Sequence, residues 1–431
     1  MKVLLVGGGG REHALAWKLA QSSGLSRLYA APGNPGMEKI AQLVPLKASD
    51  VDGIVAFAQQ ENIDLVFVGP EAPLALGLAD RLGENNIPCF GPTLRGAVLE
   101  SSKKFAKDFM ARHDIPTAAY RTFSDGLEAK RYIESLSERP WVVKADGLAQ
   151  GKGVVVAPTR KEASEAVDAM MEGRFGRAGQ EIVIEECMTG EEVSLLAFSD
   201  GKTILPMLPV QDHKRIGEGD TGPNTGGMGT YAPVSVYTPE IAREINENIV
   251  LPLQKALREE GIDYRGCLYI GLMLTPAGVR VVEFNVRFGD PETQVLMPLL
   301  ETDLLDIAHA CAEGCLEERT LKWRDGKSVC VVMSSKGYPG DYSAGHPIRE
   351  DAVPEDLAEN SWIYHAGTAR DAEGKLITAG GRVLGVTARA DTLEEALKRA
   401  YARVESVHFE GAFFRRDIAC RELNIHIKNR T

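Results

Sequence analysis

The run Val281-Val282-Glu283-Phe284-Asn285-Val286-Arg287 alternates apolar and polar residues. Along a strand continuing through Arg287, a period of two sets Glu283, Asn285 and Arg287 on one face, with Val282, Phe284 and Val286 toward a core. A carboxylate beside an amide oxygen is a hard donor pair suited to Mg2+, which takes one or two carboxylates and fills its shell with substrate phosphates. Arg287 is placed to hold a phosphoryl group as charge moves off it. Phe288-Gly289-Asp290-Pro291-Glu292 continues with two more acids.

Three further segments carry candidate chemistry. Gly7-Gly8-Gly9-Gly10-Arg11-Glu12-His13 joins a strand pattern to a helix pattern, a corner where free backbone N–H groups and the helix dipole attract an anion. Arg11 adds a bidentate phosphate donor. The corner is a poor dinucleotide fingerprint, because Glu12 stands where the third glycine belongs and the second strand ends in Ala31-Pro32-Gly33 without an acid. Gly147-Leu148-Ala149-Gln150-Gly151-Lys152-Gly153 departs from a P-loop in spacing, in the residue after Lys152 and in the strand that follows. With Lys144 beside it, it suits a glycine hairpin folding over nucleotide phosphates. Gln211-Asp212-His213-Lys214-Arg215 puts an acid among bases, able to neutralise a substrate ammonium, and Asn224-Thr225-Gly226-Gly227-Met228-Gly229 offers backbone donors.

The elements that must position these groups follow from periodicity. Residues 3–6, 28–31 and 65–68 read as short buried strands, each followed by a turn and alternating with helices, the last near 54–60, so a parallel sheet is expected with ligands at the strands' carboxyl ends. Residues 103–112 read as a helix, 141–144 and 154–157 as a hairpin, 161–171 as a helix and 182–185 as a strand. Residues 205–232 show little periodicity and read as a long functional loop. A helix over 239–259 and strands over 268–274 and 279–284 come next, then β runs at 328–334 and 381–388 and a helix near 393–404.

Composition bounds the rest. The chain has 431 residues with 44% hydrophobic and 26% charged residues, an ordinary globular balance. Its 44 glycines exceed the usual share of about 7%. A net charge of −12 argues against nucleic acid or a membrane surface as a partner, while leaving room for a locally held anion. The seven cysteines are scattered without zinc spacing, as in a reducing cytoplasm. No apolar run is long enough for a membrane span, and the N-terminus lacks a signal-peptide pattern.

Taken together and in order, GGGGREHA, GPEAPL, KADGLAQGKGV, QDHKR, GPNTGGMG and EFNVRFGDPETQ resemble the motifs of the ATP-grasp ligases and, among them, the glycinamide ribonucleotide synthetases (phosphoribosylamine–glycine ligases). The resemblance spans nearly the whole chain. It implies an α/β architecture: an N-terminal Rossmann-like domain over 1–102, an ATP-grasp region over 103–327 with a flap subdomain at about 122–191, and a small C-terminal α+β domain over 328–431. It also implies ATP-dependent joining of glycine to 5-phosphoribosylamine in purine synthesis, with Mg2+ or Mn2+, by a cytoplasmic monomer or weak oligomer whose partners are small molecules.

By position, the resemblance makes Lys103 and Lys144 the nucleotide lysines and the loop bearing Gly147, Gly151, Lys152 and Gly153 the flap over the phosphates. Glu185, Glu186 and Met188 fall on the adenine hinge, and Glu192 on the ribose hydroxyls. Glu283 and Asn285 become the metal ligands and Arg287 the transition-state clamp. Gly9, Arg11, Asn34, Gly69 and Glu71 would hold phosphoribosylamine, Asp212 and Lys214 would handle glycine, and Gly226, Gly227 and Asp290 would line the substrate sites. The strand at 267–274 lacks the extra metal acid common in the superfamily. Either phosphate oxygens and water complete the shell, or Asp290 or Glu292 reaches in. A formate- or bicarbonate-using sister ligase fits QDHKR and RFGDPETQ less well, and a non-catalytic nucleotide-binding module has little need of Glu283, Asn285 and Arg287 on one face. The last hundred residues carry no recognisable chemistry and either cover the phosphoribosylamine site or only complete the fold.

Overall fold

In the computed structural model, residues 1–147, 153–174 and 181–423 are described. Gly151 and Lys152 of the glycine hairpin lie outside them.

Strands Lys2–Gly7, Arg27–Pro32 and Leu65–Val68 form the expected parallel sheet, with two-residue strands Gln42–Leu43 and Cys89–Phe90 at its edges. Val3, Leu4, Leu5 and Val6 are all buried, as a parallel strand covered on both faces requires. The strand order runs Gln42–Leu43, Arg27–Pro32, Lys2–Gly7, Leu65–Val68, Cys89–Phe90. Chain direction across the sheet reverses between Lys2–Gly7 and Leu65–Val68, so the crevice of this fold opens at their carboxyl ends. The turns leading to helix Gly10–Leu19 and to helix Glu71–Ala75 meet there.

A second, antiparallel sheet has the order Tyr120–Phe123, Ile182–Glu186, Trp141–Ala145, Val154–Ala157. Helices Gly126–Ser135 and Arg160–Ala169 close its core against Phe123, Val143 and Ile184. A third sheet orders Ile204–Pro206, Glu191–Asp200, Arg265–Thr275 and Gly278–Asn285, again antiparallel. Its last strand ends at Asn285 and does not run through Arg287. Its register pairs Gly271 with Glu283 and Leu272 with Val281, leaving Val282 as the extra residue of a bulge. The core residues are therefore Val281 (0% exposed), Phe284 (2%) and Val286 (1%). Val282 is only half-buried, contrary to simple alternation. Alternation resumes after the bulge, which keeps Glu283 and Asn285 on one face.

The stretch expected as one long loop is built from short strands: Ile204–Pro206, Gln211–Asp212, Arg215–Gly217, Thr221–Asn224 and Gly229–Ala232. Runs of two to four residues are too short to print a period of two on a sequence rich in glycine. Gln211–Asp212 and Gly229–Ala232 extend the C-terminal sheet, whose order continues Lys327–Ser335, Arg382–Ala390, Ser361–His365. Asp212 thus stands on the same sheet as the last hundred residues. The helix at 239–259 forms as Pro239–Ile245, a widened turn Asn246–Val250 and Leu251–Glu259. Pro252 lacks an N–H, and the hydrogen-bond ladder widens just before it. No helix among the described residues is long and apolar enough to cross a membrane.

Candidate active site

Glu283 lies among cations from three parts of the chain. Burial alone would raise its carboxyl, but Lys214, Lys144, Lys103 and Arg287 together hold it below the usual range. Lys144 stands on strand Trp141–Ala145 and ion-pairs with Glu185 on the neighbouring strand. The other oxygen of Glu185 faces Lys107 Nζ at 2.5 Å. Lys107 was not singled out by sequence, although it lies four residues after Lys103, the spacing that sets two side chains on one helix face. Burial pulls its ammonium down to about 8 against the pull of Glu185, and it donates to Thr117 Oγ1 at 2.7 Å.

Lys103 opens helix Lys103–Arg112, which Ser102 caps by accepting from the Phe105 N–H. Its Nζ donates to the Gly147 carbonyl at 2.9 Å. Asp146 accepts from the Lys104 N–H at 3.0 Å, so the end of strand Trp141–Ala145 is tied to the helix start. The base of the hairpin closes with the Ala145 N–H donating to the Gly153 carbonyl at 2.8 Å. Lys214 pairs with Glu192 at 2.5 Å; burial disfavours its charge, yet Glu192 keeps its ammonium well above the ordinary value. Of the other expected hinge residues, Glu186 ion-pairs with Arg139 at 3.0 Å, and Met188 is half-buried in the connection that follows.

Asp212 marks a second zone. Its Oδ1 is buried with no hydrogen-bond partner. Burial, then the nearby Glu292 carboxylate, push it up to about 8. Glu292 is in turn held by Ser194 Oγ and Tyr269 OH at 3.2 and 3.1 Å. Gly227 lies against Asp212; a Cβ there would come within 2.9 Å of both carboxylate oxygens. Arg382, from the C-terminal sheet, donates to the carbonyls of Gly226 and Asp290, the latter at 2.8 Å. It also lies 3.4 Å from Asp290 Oδ1. Nothing in the sequence around Arg382 pointed to this reach; sheet topology alone brings it here.

The glycine corner at the switch point differs in character. Glu12 accepts from the Gly9 N–H at 2.6 Å and from Arg11 Nε. It fills the space beside Gly69, where a Cβ would come within 2.2 Å of its carboxylate. Arg11 Nη1 donates to the Phe288 carbonyl at 3.0 Å, and the Arg11 N–H reaches Asp290 Oδ2 at 3.4 Å. Asn34 Nδ2 donates to the carbonyls of Gly8 and His365 at 2.9 and 2.8 Å, and its Oδ1 accepts from the Gly36 N–H at 2.9 Å. Burial raises Asp290, but Arg382 and then Arg11 bring it below the ordinary range. Glu71 faces Arg287 Nε at 3.2 Å.

Comparison with known proteins matches the chain over nearly its whole length. The family models described as the N, ATP-grasp (A) and C domains of phosphoribosylglycinamide synthetase match residues 1–100, 101–293 and 328–421. The chain belongs to the phosphoribosylamine–glycine ligase family. The ligase of Caulobacter vibrioides is 50% identical over 98% of this chain and 99% of its own. That of Rhizobium meliloti is 51% identical over 98% of each. The crystal structure of the Thermotoga maritima ligase superposes with a TM-score of 0.84 at 34% identity, covering 97% of this chain and all of that one. The biotin carboxylase domain of Hydrogenobacter thermophilus 2-oxoglutarate carboxylase, solved with MgADP and bicarbonate, shares the fold at a TM-score of 0.72 and 18% identity, over 96% of this chain and 91% of its own. The family is one of ATP-grasp ligases, as the ordered motifs implied.

Proposed function

We propose that the cleft at Glu283 carries out ATP-dependent ligation of glycine to phosphoribosylamine through glycyl phosphate. The observation that carries this reading is the convergence of Lys103, Lys144, Lys214 and Arg287 on one carboxylate. Lys144 and Lys214 are each held by a second carboxylate, Glu185 and Glu192, and ammonium groups fixed in this way suit a polyphosphate with its cation, because phosphoryl transfer depends on positioning and charge neutralisation.

In the first step a glycine carboxylate oxygen forms a bond to the γ-phosphorus and the bond to the β-bridging oxygen breaks, releasing ADP. In the second the amine nitrogen of phosphoribosylamine bonds to the glycyl carbon, phosphate leaves with the C–O electron pair, and the nitrogen loses a proton. Lys144 and Lys103 neutralise the nucleotide phosphates, Glu185 holds Lys144, and Arg287 holds the phosphoryl group in flight. Asp212 meets the glycine ammonium, its unpaired oxygen being the acceptor on offer. Glu283 and Asn285 offer hard oxygen donors and would hold Mg2+ or Mn2+. No group of three or more acids, histidines or cysteines forms a closed cage among the described residues, and the open donor set fits a cation that shares its shell with phosphates. A cation held there would neutralise charge on the nucleotide phosphates.

The corner of Gly9, Arg11, Asn34, Gly69, Glu71 and Asp290 takes phosphoribosylamine. The seven free thiols support a reducing, cytoplasmic setting. The deciding assay follows ADP release with glycine and phosphoribosylamine omitted in turn. ADP release that requires both is expected; turnover that persists without either one overturns the reading.

A further inference from the structure

Glu100 was not among the residues that sequence reasoning marked, and the reaction above gives it no part. It is the penultimate residue of helix Leu94–Ser101, two positions before Ser102, the cap of the helix that carries Lys103. One carboxylate oxygen accepts from the Val286 N–H at 2.7 Å. The other lies 3.2 Å from Arg287 Nη2. One side chain therefore holds both the backbone entering Arg287 and the fork of Arg287 itself.

The remaining contacts of the fork are unequal. Glu71 meets Nε at 3.2 Å, the Phe288 carbonyl meets Nη1 at 3.2 Å, and Asn285 Oδ1 meets Nη2 at 3.3 Å. The Glu71 side chain is 26% exposed and that of Glu100 is 9% exposed. Glu71 can turn to an incoming ligand, whereas Glu100 is packed in place. Strand pairing cannot fix Arg287, because the strand ends at Asn285. The segment that presents the guanidinium lies beyond the sheet and needs an anchor of another kind.

We propose that Glu100 is the positioning residue for Arg287, holding its planar fork in line for phosphoryl transfer through a two-point carboxylate clasp on Val286 N and Arg287 Nη2. The inference rests on the clamp reading of Arg287 given above. Both oxygens of Glu100 are used by different donors. Glutamine has one acceptor oxygen, so Glu100→Gln can satisfy the Val286 N–H or the guanidinium but turns an NH2 toward the other. Aspartate keeps two oxygens on a stem one methylene shorter.

The test measures steady-state ADP release in Glu100→Gln, Glu100→Asp, Arg287→Lys and the double variant Glu100→Gln/Arg287→Lys, with the thermal midpoint of each. A small misplacement of a reacting group costs up to about 100-fold, so Glu100→Gln should lower kcat about 10- to 100-fold while KM for ATP stays within about twofold. Glu100→Asp should recover part of kcat. The double variant should be no slower than Arg287→Lys, because the clasp acts only through the fork. A Glu100→Gln enzyme with parental kcat, one whose kcat falls only as KM for ATP rises in step, or losses that multiply in the double variant would each overturn the inference. If Arg287→Lys keeps parental kcat, the clamp reading falls and this inference with it. If Arg287→Lys is slow and Glu100→Gln is not, the inference falls alone. A thermal midpoint that drops in Glu100→Gln with kcat intact reduces Glu100 to a structural contact and likewise overturns it.

Discussion

The cleft and the glycine corner are both expected to receive phosphate, yet their hydrogen-bond donors differ in kind. In the cleft the donors are ammonium groups with three hydrogens each: Lys103 gives one to the Gly147 carbonyl, Lys144 pairs with Glu185 and Lys214 with Glu192, and all three still act on Glu283. At the corner the Gly9 N–H is spent on Glu12, the Arg11 N–H on Asp290 and both Asn34 amide hydrogens on carbonyls. A glycine-rich helix N-terminus is a ready anion site only while its N–H groups are free. Here the anions at the helix start are the protein's own carboxylates. Such a site presents acceptors and suits the hydroxyl and amine groups of a ribosylamine, while the cleft suits a triphosphate.

The sharpest way to break this contrast is at the centre of the cleft. Glu283→Gln removes the one carboxylate offered to the cation. A metal's share of transition-state stabilisation is several kcal/mol, so turnover should fall about 100-fold or more. ADP release titrated against Mg2+ at fixed ATP, beside circular dichroism to check folding, measures it. An unchanged Mg2+ dependence would remove Glu283 from the metal site.

The next effect belongs to the corner and concerns stability. His13 is buried against Tyr364 and His365, and its Nδ1 accepts from the His365 N–H at 2.8 Å. Burial, then His365, lower His13 to about 3; burial, then Arg370, lower His365 to about 4. The folded state keeps both rings neutral while the unfolded chain protonates near 6.5. Stability from this pair is therefore complete above that value and is lost as pH falls below it. At pH 5 one such histidine costs about 2 kcal/mol. Urea unfolding at pH 7 and pH 5 should show that loss, and His13→Asn should reduce it. Equal pH dependence in parent and variant would mean that His13 titrates freely.

An intermediate effect separates the zones kinetically. Arg382→Met frees the Gly226 and Asp290 carbonyls and leaves Asp290 without its ion pair. Losing a charged hydrogen bond costs about 1.5–3 kcal/mol, so KM for phosphoribosylamine or glycine should rise about tenfold or more, with KM for ATP within about twofold. A rise confined to ATP would reverse the assignment of the zones.

How much of this was legible beforehand depends on how locally each group is placed. The parallel strands at 3–6, 28–31 and 65–68, the hairpin and the helix at 103–112 were readable because apolar runs and turn residues act within a few positions of one another. The shared face of Glu283 and Asn285 was readable for the same reason. Val282 was misplaced because a bulge depends on the partner strand, which a single strand's pattern does not contain. The strands at 211–212 and 229–232 carry no local signature because the first is only two residues long and pairs with the second, whose other partner lies about a hundred residues downstream. Glu100 and Arg382 reach the site through tertiary packing, with no local signature. Lys107 was within reach, four residues from Lys103, had the helix face been followed past the first lysine.

Asp212 stands where the two regions meet, facing Lys214 from the cleft and Arg382 from the corner. Its burial and the neighbouring Glu292 favour the protonated form up to about pH 8. A protonated acid has no charge to offer an ammonium group, so glycine must bind to the ionised fraction and expel a proton. For a group with a pKa near 8, that fraction grows about fivefold between pH 7 and pH 8. KM for glycine should therefore fall about fivefold over that unit, with KM for ATP flat. Asp212→Asn should bind glycine weakly at both values and lose the slope, since an amide does not titrate. A slope that survives in Asp212→Asn would remove Asp212 as the ammonium partner, and with it the boundary between the two regions.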